Sequence, residues 1–171
     1  LVSLGEIVAP MPFEGQEHGP LDPHFWFDPL RVKLAVVEIT TRLSILDPSG
    51  SETYLANAKA YEEQLDTLHA WIENMVSQLS PKRRLLITSH DNFAYFAKRY
   101  GFHVVGTIIP GGTTEEEPSA TKLVQLVEDI RLHQIPAIFT ETGVNDRLTQ
   151  RIAEEGGVHV IRALHTDSLG T

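Results

Sequence analysis

The sequence predicts an α/β protein whose carboxy-terminal half carries a parallel sheet. Four short β-rich runs alternate with helical stretches after Pro81, and one unusually long helical stretch precedes them. Of the 171 residues, 42% are hydrophobic, which is enough for one core of ordinary size or for one lobe of a larger molecule. Strands that alternate with helices pair in parallel through crossover connections. We therefore predict a layered α/β lobe that follows a long helix.

The first fifty residues predict a strand end, a loop and one helix. Residues 6–23, EIVAPMPFEGQEHGPLDP, begin as a short apolar run and continue into Gly, Pro and charged residues, which is typical of a strand end before an exposed loop. From Pro29 to Leu46 apolar residues recur at helical spacing, and DPSGS ends the run. An amphipathic helix is expected there.

Residues 51–80 predict a single long helix. One apolar stripe runs from Leu55 to Leu79, and Pro81 ends it. At ~1.5 Å per residue such a helix measures ~40 Å, which is longer than most globular helices. A helix of this length can join two lobes.

After Pro81 the pattern repeats strand, turn and helix. The predicted strands are RLLITSH, FHVVGTII, PAIFTE and VHVIRAL, and the predicted helices are DNFAYFAKRYG, SATKLVQLVEDIRLHQ and NDRLTQRIAEEGG. Ligands of parallel α/β domains bind beyond the carboxyl ends of the strands. The residues expected at that edge are Ser89, His90, Asp91, Ile109, Pro110, Gly111, Glu141, Thr142, His165, Thr166 and Asp167.

Imidazole and carboxylate groups recur at this predicted edge. Together they suit a divalent first-row metal ion, and since the chain has no cysteine, any metal must be held by His, Asp or Glu. The spacing alone does not establish a metal site, because no local pattern such as H-E-x-x-H is present. A single histidine at a strand end is more often a surface or capping residue, and this alternative applies to His90 and to His24.

Composition and motifs argue against several classes of partner and of catalytic site. The net charge is −9 and the basic residues are scattered, so nucleic acid and an anionic membrane surface are not indicated as partners. Ser89 and His90 are adjacent on a strand and point to opposite faces, so they cannot form a nucleophile and base pair. No G-x-S-x-G elbow or phosphate-loop lysine occurs. Nothing in the chain requires catalysis.

The other histidines and both tryptophans have structural interpretations. Solvated or helix-terminal positions are expected for His69 and His133, packing within strands for His103 and His159, and core positions for Trp26 and Trp71.

Several separated motifs agree, in order, with one known family. DPHFWFDP, LLITSHDNFAYFAKRYGF, TTEEEPSATKLVQLVEDIR, AIFTETGVNDRLTQRIAEEGGV and LHTDSLG together resemble the zinc/manganese-binding solute-binding proteins of bacterial metal ABC transporters, the cluster A-I family. The resemblance runs through nearly the whole chain from about Asp22.

The resemblance implies a helical-backbone metal receptor, in which two α/β lobes are joined by a long helix and a metal ion is bound by four side chains in the cleft. By position in the motifs, His24, His90 and Asp167 are three of the ligands, and the first ligand is expected upstream of Leu1. The chain is then a fragment of a two-lobed protein. Residues 1–50 form the end of the amino-terminal lobe, 51–80 the inter-lobe helix and 81–171 an incomplete carboxy-terminal α/β lobe.

The function implied by the resemblance is that of a non-enzymatic, extracytoplasmic binding protein, periplasmic or lipid-anchored to the outer face of the membrane. It captures a divalent metal ion and delivers it to an ABC transporter permease. His90 favours Zn2+, with Mn2+ or Fe2+ as the alternative. Asp91 or a backbone carbonyl is expected to orient His90 through its second nitrogen.

Two other classes stay open on the sequence. One is a metal-dependent hydrolase with an open coordination position, and the other is a surface adhesin that uses the same fold for cell adhesion. With one lobe mostly absent, the fragment is also expected to expose apolar surface and to self-associate.

Overall fold

The protein is described by a computed structural model that covers residues 3–13, 20–109, 118–141 and 147–166. The chain divides into two compact units, Leu1–Ser80 and Pro81–Thr171. Across the described ranges, no helix combines the length and the apolar character needed to cross a membrane.

The first unit is helical. Helix α1 spans Leu4–Ile7, α2 spans Pro29–Leu46 and α3 spans Ser51–Ser77. The α2 helix has the predicted bounds. The Asp28 carboxylate caps its start by accepting a hydrogen bond from the Leu30 amide at 3.1 Å. Pro29 occupies the first turn, where the N–H that proline lacks is not needed. The long helix is confirmed, although it ends at Ser77 rather than at residue 80. Its role between two lobes stays a prediction.

Helices α2 and α3 pack against each other around a short connection. The Tyr54 hydroxyl donates to Asp47 at 2.8 Å near the turn, and Lys33 pairs with Asp66 at 2.7 Å further along. Much of the predicted apolar stripe is nevertheless exposed, including Leu34, Val37, Leu43, Leu46, Leu55, Leu68 and Met75. The expected exposed apolar surface is therefore present, and self-association stays a prediction.

The prediction of a strand end in this unit is wrong. The run expected to be a strand end forms the single helical turn α1, because Pro10 prevents further helix and Ala9 takes a left-handed backbone conformation with φ of 53°. The Arg31 guanidinium then binds the carbonyls of Val8 and Ala9. Pro12 and Leu21 form only an isolated antiparallel bridge.

The tryptophans, expected in the core, are exposed to 42% at Trp26 and 59% at Trp71. Trp71 lies on the long helix α3, and a tryptophan on a helix is buried only where another element covers its face, which the sequence alone does not reveal.

The described residues of the second unit form the predicted parallel sheet. Its strands are β1, Leu85–Thr88; β2, His103–Thr107; β3, Ala137–Glu141; and β4, His159–Leu164, and they lie in the order β2-β1-β3-β4. All pairs between neighbouring strands are parallel. The helices are α4, Ala94–Tyr100; α5, Ala120–His133; and α6, Arg147–Gly156.

The core of this unit lies between the sheet and helices α5 and α6. Its buried members are Ile87, Ile108, Leu126, Val127, Ile130, Ile135, Ile138, Ile152 and Ala153. The connection after α4 needs a left-handed residue, which Gly101 supplies with φ of 70°. These contacts hold the carboxyl ends of the strands at one edge.

The pairing register shifts once on each side of the sheet. Leu86 pairs with Val104 and Ile87 with Gly106, so β2 carries one extra residue at this point. The same happens where Thr140 pairs with Arg162 and Glu141 with Leu164, where β4 carries the extra residue. Both extra residues belong to the outer strands, and both precede the carboxyl edge.

The strand order positions a crevice between β1 and β3. From β1 the chain crosses to β2 on one side and later reaches β3 on the other side, so its direction of winding reverses between these two central strands. Ligand sites of open parallel sheets lie at the carboxyl ends of strands where the order reverses. The residues that follow β1 and end β3 are therefore the first candidates for a site.

Candidate metal site

Burial separates two histidines from the other described ones. His24 is 3% exposed and His90 is 1% exposed. His103 and His159 are exposed at the first residues of β2 and β4, so the prediction that they pack within strands is wrong. His133 and His165 are also exposed, and His69 is partly buried with its Nε2 3.6 Å from Glu73. Buried histidines need partners for their ring nitrogens, and the two buried ones have them.

The Asp22 carboxylate holds the ring of His24. Its Oδ1 lies 2.6 Å from the Nδ1 of His24 and also accepts a hydrogen bond from the His24 backbone N–H at 2.9 Å. Both side chains are buried, and the rings of Phe13 and Trp26 pack edge-on against the imidazole at centroid distances of 6.3 and 5.3 Å. In neutral imidazole this arrangement favours the proton on Nδ1, which makes Nε2 the nitrogen able to bind a metal.

His90 has the same kind of partner at the end of β1. Its Nδ1 lies 2.5 Å from Oε1 of Glu141, the last residue of the neighbouring strand β3. The two atoms are in close contact, although Nδ1 does not meet the geometry of a well-formed hydrogen bond. Each buried histidine thus has a buried carboxylate against Nδ1, which is the arrangement that orients metal-ligand histidines in proteins.

Glu141 is a buried, ionised carboxylate. The hydroxyl of Ser89 donates to its Oε1 at 2.5 Å. Burial raises the pKa of Glu141, but the contacts of its carboxylate with His90, Ser89 and Thr166 outweigh this and lower the pKa to about 2. The charge is therefore kept at neutral pH in an environment that would otherwise favour the neutral acid.

The sequence placed Glu141 at the predicted ligand edge without giving it a role, and it gave Asp91 or a backbone carbonyl as the group expected to orient His90. Asp91 follows His90 and is partly buried, but the carboxylate against Nδ1 belongs to Glu141. The signal for Glu141 was its position at a strand end on the same edge. The order of the strands, which makes β3 the neighbour of β1, could not be read from the sequence.

The third predicted ligand, Asp167, lies outside the described residues. The residue before it, Thr166, is buried just after β4. Within the ranges that the structure describes, no three His, Cys, Asp or Glu side chains group closely enough to hold a metal ion.

Asn92, two residues after His90, is fully buried, and neither polar atom of its side chain has a hydrogen-bond partner in the described part of the chain. An unsatisfied buried polar group costs about 1–3 kcal/mol. We therefore expect Asn92→Leu, which has nearly the same shape, to raise the free energy of unfolding by about 1–3 kcal/mol. Amide hydrogen exchange of the β1 and α4 peptides measures this change.

The control for Asn92→Leu is Asn57→Leu on the exposed surface of α3, where a change within about 0.5 kcal/mol is expected. A lower stability of the Asn92→Leu protein would mean that the amide is satisfied in solution, for example by a buried water molecule.

Comparisons with known proteins place the whole chain in one group. A family model described as zinc-uptake complex component A, periplasmic, matches residues 2–171. The chain is 32% identical over 170 residues to the manganese-binding lipoprotein MntA of Halalkalibacterium halodurans, an alignment that covers 99% of this chain and 55% of the relative. It is 31% identical over 163 residues to the iron-binding protein YfeA of Yersinia pestis, covering 95% and 52%.

A third relative has also been solved as a structure. The zinc-binding protein TroA of Treponema pallidum is 31% identical over 175 residues, covering 99% of this chain and 56% of the relative. Its structure superposes with a TM-score of 0.89 at 28% identity, covering 99% of this chain and 62% of that chain. The chain therefore spans about half the length of the curated relatives that it matches.

Proposed function

Since the chain belongs to the family of zinc-uptake component A proteins, which are periplasmic or lipid-anchored substrate-binding components of metal ABC transporters, we propose that its protein captures a divalent metal ion outside the cytoplasm. It then delivers the ion to the membrane permease of the transporter. The observation that carries the proposal is the pair of buried histidines, each with a buried carboxylate against Nδ1.

The proposed ligands are the Nε2 atoms of His24 and His90 and the carboxylate of Asp167. The two histidines are supported by their burial and by the contacts of Nδ1 with Asp22 and Glu141. Asp167 lies outside the described residues and is proposed from its sequence position in LHTDSLG, shortly after the last residue of β4. A fourth ligand is proposed from a part of the protein outside this chain.

Zinc is the proposed metal. Two neutral imidazoles and one carboxylate suit zinc, which prefers nitrogen and oxygen ligands in tetrahedral geometry, whereas manganese prefers more oxygen ligands. The relatives named above bind manganese, iron or zinc, so family membership supports a divalent metal, and the imidazoles of His24 and His90 support zinc.

Competitive titration of the full-length protein with a chelating dye tests both parts of this proposal. We expect one zinc ion to bind per protein molecule, and manganese and ferrous iron to bind more weakly under the same conditions, because imidazole ligands shift affinity along the series toward zinc. Absence of saturable binding for all three ions would refute the proposed function. Tighter binding of manganese or iron than of zinc would refute only the choice of metal.

A further inference from the structure

Glu141 occupies an unusual position for a charged side chain. It ends the central strand β3, its side chain is only 7% exposed, and its neighbours are β1 on one side and β4 on the other. Removing a carboxylate from water costs several kcal/mol, and apolar residues of similar size often serve as well or better for stability. A purely structural role therefore gives little reason for a carboxylate at this point.

The contacts of Glu141 converge on the segment that follows β1. One oxygen, Oε1, accepts the Ser89 hydroxyl at 2.5 Å and lies 2.5 Å from Nδ1 of His90. Ser89 and His90 are 3% and 1% exposed, so their contacts with this oxygen are shielded from bulk water. Because Ser89 holds the same oxygen in place, the carboxylate is a fixed acceptor for the imidazole rather than a mobile one.

The opposite neighbour of Glu141 is β4. Leu164 pairs with Glu141 across the β3–β4 ladder, and the buried Thr166 follows two residues later. The backbone of the residue that carries the carboxylate is thus held by its pairing with β4, while its side chain contacts the segment after β1.

We propose that Glu141 is a positioning residue, which holds the His90 imidazole in one orientation and keeps the proton on Nδ1, so that Nε2 presents its lone pair to the metal ion. This inference rests on the proposed function. The carboxylate accepts hydrogen bonds and cannot donate one, so it stabilises only the tautomer with the proton on Nδ1. An amide at the same place can donate its NH2 group to Nδ1 and would stabilise the other tautomer, in which the lone pair on Nε2 is lost.

The test is Glu141→Gln in the full-length protein, since Gln keeps the shape and removes the selectivity for one tautomer. We expect zinc affinity to fall about 10–100-fold, which is the usual effect of removing the partner of a metal-ligand histidine. Nitrogen-15 NMR of the metal-free protein at about pH 8, above the usual imidazole pKa of ~6.5, should show the Nδ1–H tautomer of His90 in the unmodified protein and a larger share of Nε2–H in the variant.

Glu128→Gln makes the same charge change at an exposed position of α5 and should alter neither measurement. Unchanged zinc affinity in Glu141→Gln, in a protein that binds zinc through His90, would overturn the positioning role, and so would an unchanged His90 tautomer. If the unmodified protein binds no metal, the proposed function fails instead. The tautomer measurement still decides in that case whether Glu141 orients the ring.

Discussion

Replacement of His90 by alanine is expected to lower the zinc affinity of the full-length protein on the order of 100-fold. A four-ligand zinc site in a protein is worth about 10–16 kcal/mol, so one ligand accounts for roughly 3 kcal/mol, or about two orders of magnitude in the dissociation constant. The substitution also leaves the buried Glu141 carboxylate without its imidazole partner. Competitive titration with a chelating dye measures the affinity, and manganese affinity is expected to fall as well.

The matched control is His133→Ala, which removes an exposed imidazole at the last residue of α5 in the same unit. Its zinc affinity is expected to equal that of the unmodified protein. Equal affinities in all three proteins would remove His90 from the ligand set, whereas an equal loss in both variants would point to a general effect of histidine removal.

The second large effect is a lower free energy of unfolding, expected for Ile138→Ala. Ile138 is fully buried in the central strand β3, and its side chain belongs to the core shared by the sheet with α5 and α6. Truncation of a buried Ile to Ala costs about 2–5 kcal/mol, because the lost burial adds to the cavity that remains. With a loss of about 3 kcal/mol, the protected amides of β1 and β3 in Ile138→Ala should exchange with solvent roughly 100-fold faster.

Ile161→Ala provides the control for Ile138→Ala. Ile161 lies on the edge strand β4 and is 39% exposed, so the same truncation should cost less than about 1 kcal/mol. If the two variants exchanged at the same rate, the sheet would not open as a unit that depends on the core around Ile138.

Local sequence patterns predicted most of the helices and strands. The helix Pro29–Leu46 was predicted to the residue, because an Asp-Pro start and a Leu-Asp-Pro end are local signals. The four strands that the described residues form were all predicted, since each short β-rich run lies between turn residues. Their parallel pairing followed from the alternation with helices.

Predictions failed where a residue's environment depends on distant parts of the chain. The strand expected near Ile7 is a helical turn, held by the contact of Arg31 with Val8 and Ala9. His103 and His159 begin their strands and are exposed, and a strand pattern does not reveal which terminal residues remain in solvent.

For the site, the carboxyl-end rule brought His90 and Glu141 into one set of candidates without relating them to each other. The pair forms because β3 lies next to β1, and strand order is decided by the packing of the whole unit. The Asp22–His24 pair was easier in principle, because its members are two residues apart with Pro23 between them. That His24, His90 and Asp167 bind one metal ion stays a proposal.

The two shifts of register on the outer strands have a further consequence, for solubility. An outer strand of a sheet offers unpaired N–H and C=O groups to any other extended chain. Regular outer strands therefore favour aggregation by edge-to-edge strand pairing. An extra residue bends and twists the strand that carries it, which disturbs this template. Among the strands of the described residues, β2 and β4 carry the extra residues while β1 and β3 pair between them, so both borders of this sheet are poorly shaped to accept another strand.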